Sequence, residues 1–251
     1  MNHSDTPPGA AAGTFASVRR SAWDTETTGP DPRNDRIVTA AFIVRGGGRP
    51  DCHFSWLINS GVPIPPEATA VHGIDDAKAK AEGQDPKEAL EEIAETMARA
   101  IRYGMPLVAY NTAYDWSVLH YELERHGLPT MLDRLGGQPY SLIDPLVLDK
   151  HADRYRKGSR KLKAVAEHYG VKLDNWHEAK ADAIAALGIA DAIYERHPRL
   201  GAYDAQRLFL AQQAWREEQQ KSLQEYLRQK DPEAYCAPEW PLVPAQRGGA
   251  E

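Results

Sequence analysis

Cysteine and long apolar runs are what this chain of 251 residues has least of. Its two cysteines, Cys52 and Cys236, have no metal-ligand spacing around them, so a disulfide scaffold and a zinc ribbon are excluded. No run reaches the roughly 18 consecutive apolar residues that a membrane span requires. Residues 1–14 also lack the basic start and the apolar core of a secretory signal. We therefore expect a cytoplasmic protein that does not enter a membrane.

An excess of positive charge is also missing. The chain has 30 Lys and Arg residues against 36 Asp and Glu residues, which gives a formal charge of −6. A protein that simply coats nucleic acid would carry the opposite sign. An enzyme that grips nucleic acid through bound cations and a local basic patch is still compatible with this balance. The length, with 42% hydrophobic and 26% charged residues, suits one or two globular domains.

The order of the apolar segments predicts an α/β domain. Three strands are expected first: one that ends at Asp24, and two, 37–44 and 52–58, that form a hairpin around the glycines at 46–48. Helical spacing and strand-like runs then alternate. The expected helices cover residues 85–102, 115–126, 162–169 and 179–194, and the expected strands cover 106–110 and 141–148. This succession indicates a mixed sheet, and residues 203–230 predict a polar helical tail.

Two carboxylates, Asp24 and Glu26, stand at the end of the first predicted strand. Side chains at i and i+2 lie on one face of an extended chain, so both carboxylates can point at the same spot. Adjacent carboxylates repel each other unless a cation lies between them, and hard oxygen ligands suit Mg²⁺ or Mn²⁺. An isolated pair of this kind is usually solvated surface charge. The end of a strand in an open α/β sheet, however, is where active sites gather.

Asp115 and Asp182 are two further acids that are candidates for a functional as well as a structural role. Asp115 begins a predicted helix just after the predicted strand 106–110, where helix capping or the helix dipole would also favour an acid. Asp182 enters an apolar helical run, 183–187, where an unpaired charge would be costly. His177 precedes Asp182 by five positions in what is expected to be a loop.

Together these motifs resemble the DEDDh exonucleases, the DnaQ-like family that includes the proofreading subunit of bacterial replicative polymerases. The match comprises Asp24-x-Glu26, Asn111-x₃-Asp115 and His177-x₄-Asp182, in the order that the family has. The segment Val71-His72-Gly73-Ile74 and the segment around Asp144, Leu146 and Leu148 resemble further parts of the family, and the resemblance covers about residues 18–196.

The resemblance implies a ribonuclease H-like mixed β-sheet flanked by helices, here with a C-terminal helical tail. We expect a disordered N-terminus at 1–16, an exonuclease domain at 17–200, and a helical and partly disordered tail at 201–251. The tail either packs back on the domain or binds a partner protein.

The implied activity is metal-dependent 3′→5′ hydrolysis of DNA by two divalent cations, Mg²⁺ or Mn²⁺, with release of nucleoside 5′-monophosphates. The family assigns the metal ligands to Asp24, Glu26, Asp115 and Asp182. It assigns the general base to His177, since an ordinary imidazole pKa of about 6.5 suits proton transfer near neutral pH. The residues implied to contact the terminal nucleotide are Thr27, Thr28, Val71, His72, Asn111 and Tyr114. His72 is equally explained as a structural residue in the turn before Gly73.

The expected binding partner is a nucleic acid with a 3′ end, single-stranded DNA first, and a polymerase or another repair protein is the protein partner that the resemblance suggests. An exoribonuclease acting on RNA or short oligonucleotides is an alternative within the same class, and contacts to a 2′-OH would separate the two. An inactive nucleic-acid-binding module is an alternative from another class. A missing carboxylate would be its signature, and all five catalytic residue types are present.

One segment concentrates positive charge. Residues 154–163 contain six basic side chains in ten positions, and they precede the helix that leads to His177. The segment is expected either to grip substrate phosphates at the rim of the cleft or to be a solvated loop.

Overall fold

The computed structural model describes residues 15–136, 140–173 and 177–244. Most of the N-terminus predicted to be disordered (1–16) and the end of the predicted tail (201–251) lie outside these ranges. Five strands form one sheet in the order β3-β2-β1-β4-β5. The strands are β1 (Arg20–Thr27), β2 (Ile37–Arg45), β3 (Cys52–Leu57), β4 (Leu107–Val108) and β5 (Leu142–Ile143). The first three pair antiparallel, and β4 pairs parallel with both β1 and β5, so the predicted mixed sheet is confirmed.

Nine α-helices lie within the described ranges. They are α1 (Pro66–His72), α2 (Asp76–Glu82), α3 (Pro86–Arg102), α4 (Thr112–Arg125), α5 (Met131–Leu135), α6 (Pro145–Ala152), α7 (Leu162–Tyr169), α8 (Ala179–Arg196) and α9 (Ala205–Leu227). The four predicted helices correspond to α3, α4, α7 and α8. A short 3₁₀ turn at Phe15–Ser17 precedes β1, and the ring of Phe15 stacks on Tyr194 in α8.

The predicted strand at 141–148 is wrong beyond residue 143. Pro145 occupies the first turn of α6, where its missing N–H costs nothing, and the Asp144 carboxylate accepts the N–H of Leu146 as a helix cap. The apolar run that follows is therefore helical. Because a short apolar run fits a buried strand and a buried helix equally well, its periodicity could not decide between them.

Both faces of the sheet are covered, and neighbouring residues of one strand serve different cores. Trp23 and Phe42 belong to a core with α3 and α4, whereas Ala22 and Ile43 belong to a core with α8. This division follows from the two-residue period of a strand, which sends successive side chains to opposite faces. The sheet is thus held between helices, and the ends of β1 and β4 meet the N-termini of α4 and α8 at one edge.

Helix α9 packs against the sheet domain. The amide of Gln212, which is fully buried, accepts the N–H of Asp144 at 2.8 Å through Oε1 and donates to the Leu142 carbonyl at 2.7 Å through Nε2. Trp240 is buried in the core that contains Trp23. Of the two roles considered for the tail, packing on the domain is the one that these contacts support, and buried contacts cross the boundary predicted at residue 200. Within the described part of the chain, no helix is long and apolar enough to span a membrane.

Candidate active site

Asp24 and Glu26 lie near the end of β1, two positions apart as the motif requires. The pairing of β1 with β2 shifts register between Glu26 and Thr27. Such an irregularity re-aims side chains and ends regular pairing, and it occurs often beside active sites. The turn that follows is tight: a Cβ on Gly29 would lie 2.7 Å from the Asp35 carboxylate.

Asp115 is fixed against β1. Its Oδ1 accepts the backbone N–H of Thr25 at 3.0 Å and the Thr25 hydroxyl at 2.7 Å, and the side chain is almost fully buried. The cap position of α4 belongs to Asn111, at the left-handed φ of 62°. Asp115 therefore lies one turn inside α4, and its carboxylate faces the strand that carries Asp24 and Glu26.

The third motif completes the cluster from α8. Asp182 is in the first turn of that helix, and it hydrogen-bonds the backbone N–H of His177. Ligand atoms of Glu26, His177 and Asp182 all lie within 4.8 Å of one another. Among the described non-glycine residues, the two with positive φ are Asn111 and His177, at 67° for the latter. Left-handed backbone is uncommon outside glycine, and it concentrates at functional sites.

Burial raises the pKa values of all four carboxylates, and repulsion within the cluster adds to the rise for Asp24 and Glu26. Burial, followed by repulsion from Asp115, Asp182 and Glu26, places the pKa of Asp24 well above its usual range. Burial, followed by repulsion from Asp182 and Asp115, raises the pKa of Glu26 to about 8. Burial raises the pKa of Asp115 to about 7 and that of Asp182 to about 6. A cation among these groups would reverse the effect, because an opposite charge favours the ionised form.

The donor set fits a divalent cation. Carboxylate oxygens are the ligands that Mg²⁺ and Mn²⁺ prefer. Oδ1 of Asp182 is buried and has no hydrogen-bond partner among the residues that the structure describes. A buried carboxylate oxygen of this kind, in a cluster with three more acids, has the chemistry of a cation ligand.

A cleft of about 820 Å³ opens above this cluster. It is lined by Glu26 and His177 and by all six residues expected to contact the terminal nucleotide: Thr27, Thr28, Val71, His72, Asn111 and Tyr114. Sequence reasoning missed Asp35, Pro65, Glu67 and Ala68, which also line it. Asp35 lies in a loop without a motif, and its contact to the cleft arises from folding of the β1–β2 turn.

Several lining residues are held by contacts of their own. The hydroxyl of Tyr114 donates to the Gly29 carbonyl at 2.5 Å, and the Thr27 hydroxyl donates to the same oxygen at 2.8 Å. The Thr28 hydroxyl donates to Asp35 at 2.9 Å. These bonds fix the cleft wall formed by residues 27–29. The hydroxyl of Thr28 stabilises the turn between β1 and β2 through its bond to Asp35.

The position of His72 is compatible with both of its predicted roles, the structural one in the turn before Gly73 and contact with the terminal nucleotide. Its Nδ1 accepts the N–H of Ile74 at 3.2 Å and so closes the turn after α1. Its Nε2 is buried, and the ring also interacts with the backbone of Thr27 at the wall of the cleft. Burial, and to a smaller degree the neighbouring His177, lowers the pKa of His72, which makes it a neutral donor or acceptor at neutral pH.

Some of the basic side chains in segment 154–163 are engaged in ion pairs within the protein. Arg156 and Arg160 both bond the buried carboxylate of Asp149, at 2.8 and 2.6 Å. Lys161 is exposed, and it lies close enough to His177 to lower, after burial, the pKa of that imidazole. Two of the six cations therefore pair with a buried acid, and a third, Lys161, is exposed and acts on His177 of the cleft through its charge.

Comparison with known proteins agrees with this geometry. The family model described as an exonuclease, RNase T, matches residues 21–190. The chain belongs to this exonuclease family. The similarity to exonucleases expected from the three motifs is thereby confirmed, as is the assignment of the chain to the nucleases.

Two bacterial polymerases are among its relatives. The PolC-type DNA polymerase III of Streptococcus thermophilus is 31% identical over 183 residues, which cover 70% of this chain and 11% of the polymerase. That of Caldanaerobacter subterraneus is 27% identical over 179 residues, covering 71% and 12%. The chain thus spans about a tenth of the length of the polymerases that it matches.

Among solved structures, the zinc-bound complex of Escherichia coli exonuclease I with single-stranded DNA is similar in fold. Its TM-score is 0.62 at 21% identity, over 74% of this chain and 42% of that one. The ribonuclease H-like fold expected for the chain is confirmed by this likeness and by the family match.

Proposed function

We propose that this exonuclease removes nucleotides from the 3′ end of single-stranded DNA and releases nucleoside 5′-monophosphates. The observation that carries the proposal is the cluster of Asp24, Glu26, Asp115, Asp182 and His177, of which Glu26 and His177 line a cleft large enough for a nucleotide. Exonuclease I in complex with single-stranded DNA supports this choice of substrate through its shared fold.

The proposed cofactor is a pair of divalent cations, Mg²⁺ or Mn²⁺, held by the four carboxylates. Bound divalent cations would supply positive charge at the attacked phosphate and would lower the pKa of a water molecule. Zinc in the exonuclease I complex supports a cation site in this fold. The carboxylate that Thr25 holds rigidly, Asp115, would keep its position with or without a cation, which favours binding without rearrangement.

His177 is proposed as the general base. Burial and Lys161 lower the pKa of its imidazole, so that the ring is neutral and able to accept a proton at neutral pH. In the proposed step, the oxygen of water attacks the terminal phosphorus while a ring nitrogen of His177 takes the proton. The bond between phosphorus and the 3′ oxygen of the preceding nucleotide breaks, and that oxygen leaves to become the new 3′-OH after protonation.

The wall of residues 27–29, together with Val71 and His72, is proposed to hold the terminal nucleotide. Val71 is 47% exposed although it is aliphatic, and it lines the cleft beside the imidazole of His72. An apolar surface beside a polar atom suits a base and its sugar. The relationship to PolC-type polymerases supports a polymerase or another protein of DNA synthesis as a partner.

The test is hydrolysis of labelled single-stranded DNA, duplex DNA and RNA of one sequence, with Mg²⁺, with Mn²⁺ and with excess EDTA. We expect 5′-monophosphates to appear from the 3′ end of single-stranded DNA and to stop appearing in EDTA. A higher kcat/KM on RNA would transfer the proposal to an exoribonuclease. Absence of hydrolysis of every substrate with either metal would overturn it.

A further inference from the structure

A second groove lies between α9 and the segment that joins α6 to α7. Its volume is about 460 Å³, and its lining is basic and aromatic, with Lys150, His151, Arg154, Arg160, Trp215 and Tyr226 as the residues that define it. None of these residues belongs to the carboxylate cluster or to the cleft above it. We call it the α9 groove.

Of the aromatic side chains in the α9 groove, His151 is exposed, whereas Trp215 is half-buried and packs against the core that contains Ala22 and Ile43. The rings of His151 and Trp215 are stacked, with centroids 3.7 Å apart and an angle of 14° between their planes. Tyr226 is 58% exposed. Stacking of bases on accessible aromatic rings is one of the main contacts to single-stranded nucleic acid.

The charges of the α9 groove leave a positive surplus. Arg156 and Arg160 share one carboxylate, Asp149, and Arg154 is balanced by Glu218 at 2.7 Å on the surface. Lys150 has no ion-pair partner among the described residues. The groove is therefore complementary to a polyanion, although the chain as a whole is acidic.

The α9 groove adjoins the active-site cleft through a short piece of backbone. Tyr110 donates its hydroxyl proton to the carbonyl of Arg160 at 2.5 Å, and Tyr110 is followed by Asn111, which lines the cleft. On the other side of Arg160, Lys161 lies near His177. Arg160 lines the groove, and the charge of the next residue, Lys161, acts on His177 of the cleft, so the two sites adjoin at this segment.

We propose that the α9 groove is a second binding site for the substrate strand and holds nucleotides on the 5′ side of the one being removed. The proposal rests on the single-stranded substrate of the proposed function. Lys150 and Arg154 would contact phosphates, and Tyr226 with the His151–Trp215 stack would contact bases. Both kinds of group are needed, because cations alone would suit any polyanion.

The test compares two double variants of the full chain. K150S/Y226A removes one cation and one ring from the α9 groove. K230S/Y235A is the matched control, since Tyr235 is 57% exposed, Lys230 is exposed, and neither lines the groove. Each is assayed on a long oligothymidylate, on a dinucleotide and on thymidine 5′-(p-nitrophenyl phosphate), a small phosphodiester.

We expect K150S/Y226A to raise KM on the long strand roughly tenfold or more, because stacking on one aromatic ring is worth about 1–3 kcal/mol. The dependence of log K on log salt should flatten by about 0.7 for each phosphate contact that is lost. Both short substrates, and kcat on all three, should be unchanged. An unchanged KM and salt dependence on the long strand, or an equal effect of K230S/Y235A, would overturn the proposal.

A binding measurement distinguishes failure of this proposal from failure of the proposed function, because it does not depend on hydrolysis. With EDTA present, fluorescence anisotropy of a labelled strand reports the α9 groove whether or not the protein hydrolyses DNA. Weaker binding by K150S/Y226A alone supports the groove even if the unmodified protein is inactive on every substrate. If an acidic peptide of equal charge displaces the strand as well as unlabelled DNA does, the groove is a general anion site and the proposal is wrong.

Discussion

The buried carboxylate of Asp144 accepts the backbone N–H of Asn111 at 3.0 Å. Its other oxygen accepts the N–H of Thr112 at the same distance. The two bonds hold the left-handed turn that begins α4, and α4 carries Asp115 one turn later. Asp144 does not line the cleft, and its charge contributes to the raised pKa of Asp115. Because it holds the turn that begins the helix carrying Asp115, we assign it a positioning role.

Replacement of Asp144 should therefore reduce turnover as well as stability. In D144N the amide group can accept only through its oxygen, and its NH₂ would oppose a backbone N–H, so we expect a loss of about 1–3 kcal/mol in the free energy of unfolding. We expect kcat to fall and KM on a dinucleotide to change little, measured well below the melting temperature of the variant. Asp204 caps α9 in the same way but far along the chain, and D204N should lose some stability with normal kcat.

Neutralising one carboxylate of the cluster should have opposite effects on activity and on stability. D182N should lower kcat at least about a hundredfold, because charge stabilisation by cations at the phosphate is worth several kcal/mol. Without metal its melting temperature should hold or rise, since the change removes repulsion among buried acids. The exposed Glu233 provides the control E233Q, for which both quantities should match the unmodified protein. A lower melting temperature for D182N in EDTA would contradict the expected repulsion.

The metal-free protein should lose stability as the pH rises. Glu26 and Asp115 have folded-state pKa values of about 8 and about 7, above the values of about 4 that unfolded carboxyl groups have. The folded state thus binds more protons than the unfolded state between these limits, and its stability is greatest at the acidic end. Melting temperatures in EDTA should fall from about pH 5 to about pH 8. Saturating Mg²⁺, and separately E26Q, should flatten that slope.

Loss of the imidazole should affect chemistry more than metal binding. H177A is expected to lower kcat by about 10²–10⁴, the range for a lost general base, while the Mg²⁺ concentration for half-maximal activity stays the same. His177 also lies within ligand distance of Glu26 and Asp182. A large rise in that Mg²⁺ concentration for H177A would make the histidine a ligand and not a base.

Much of the site could be predicted from the sequence because the chemistry is tied to short motifs. Asp24 and Glu26 share a face through the two-residue period of a strand, and His177 and Asp182 are neighbours through one loop and one helical turn. The grip of Thr25 on Asp115 could not be predicted, since it joins residues 90 positions apart and depends on how α4 crosses β1.

The basic segment shows the same limit. Six cations in ten positions predict a free row of charge, but Arg156 and Arg160 are directed to the buried Asp149. Nothing local marks Asp149 as their partner, because its burial follows from the packing of α6. The number of charges in the segment can therefore be predicted from the sequence. Which of them remain available to a ligand depends on the tertiary contacts.

Gln212 and Val243 lie beyond residues 21–190, the range that the family model matches, and both support the helix that carries Asp115. Gln212 satisfies the N–H of Asp144, and the N–H of Val243 donates to Ser117 in α4 at 2.8 Å. A protein cut at residue 190, where the family match ends, would keep all four carboxylates of the cluster and lose both of these supports for the helix that positions Asp115. We therefore expect the shortest active fragment to be longer than the region that the family model matches.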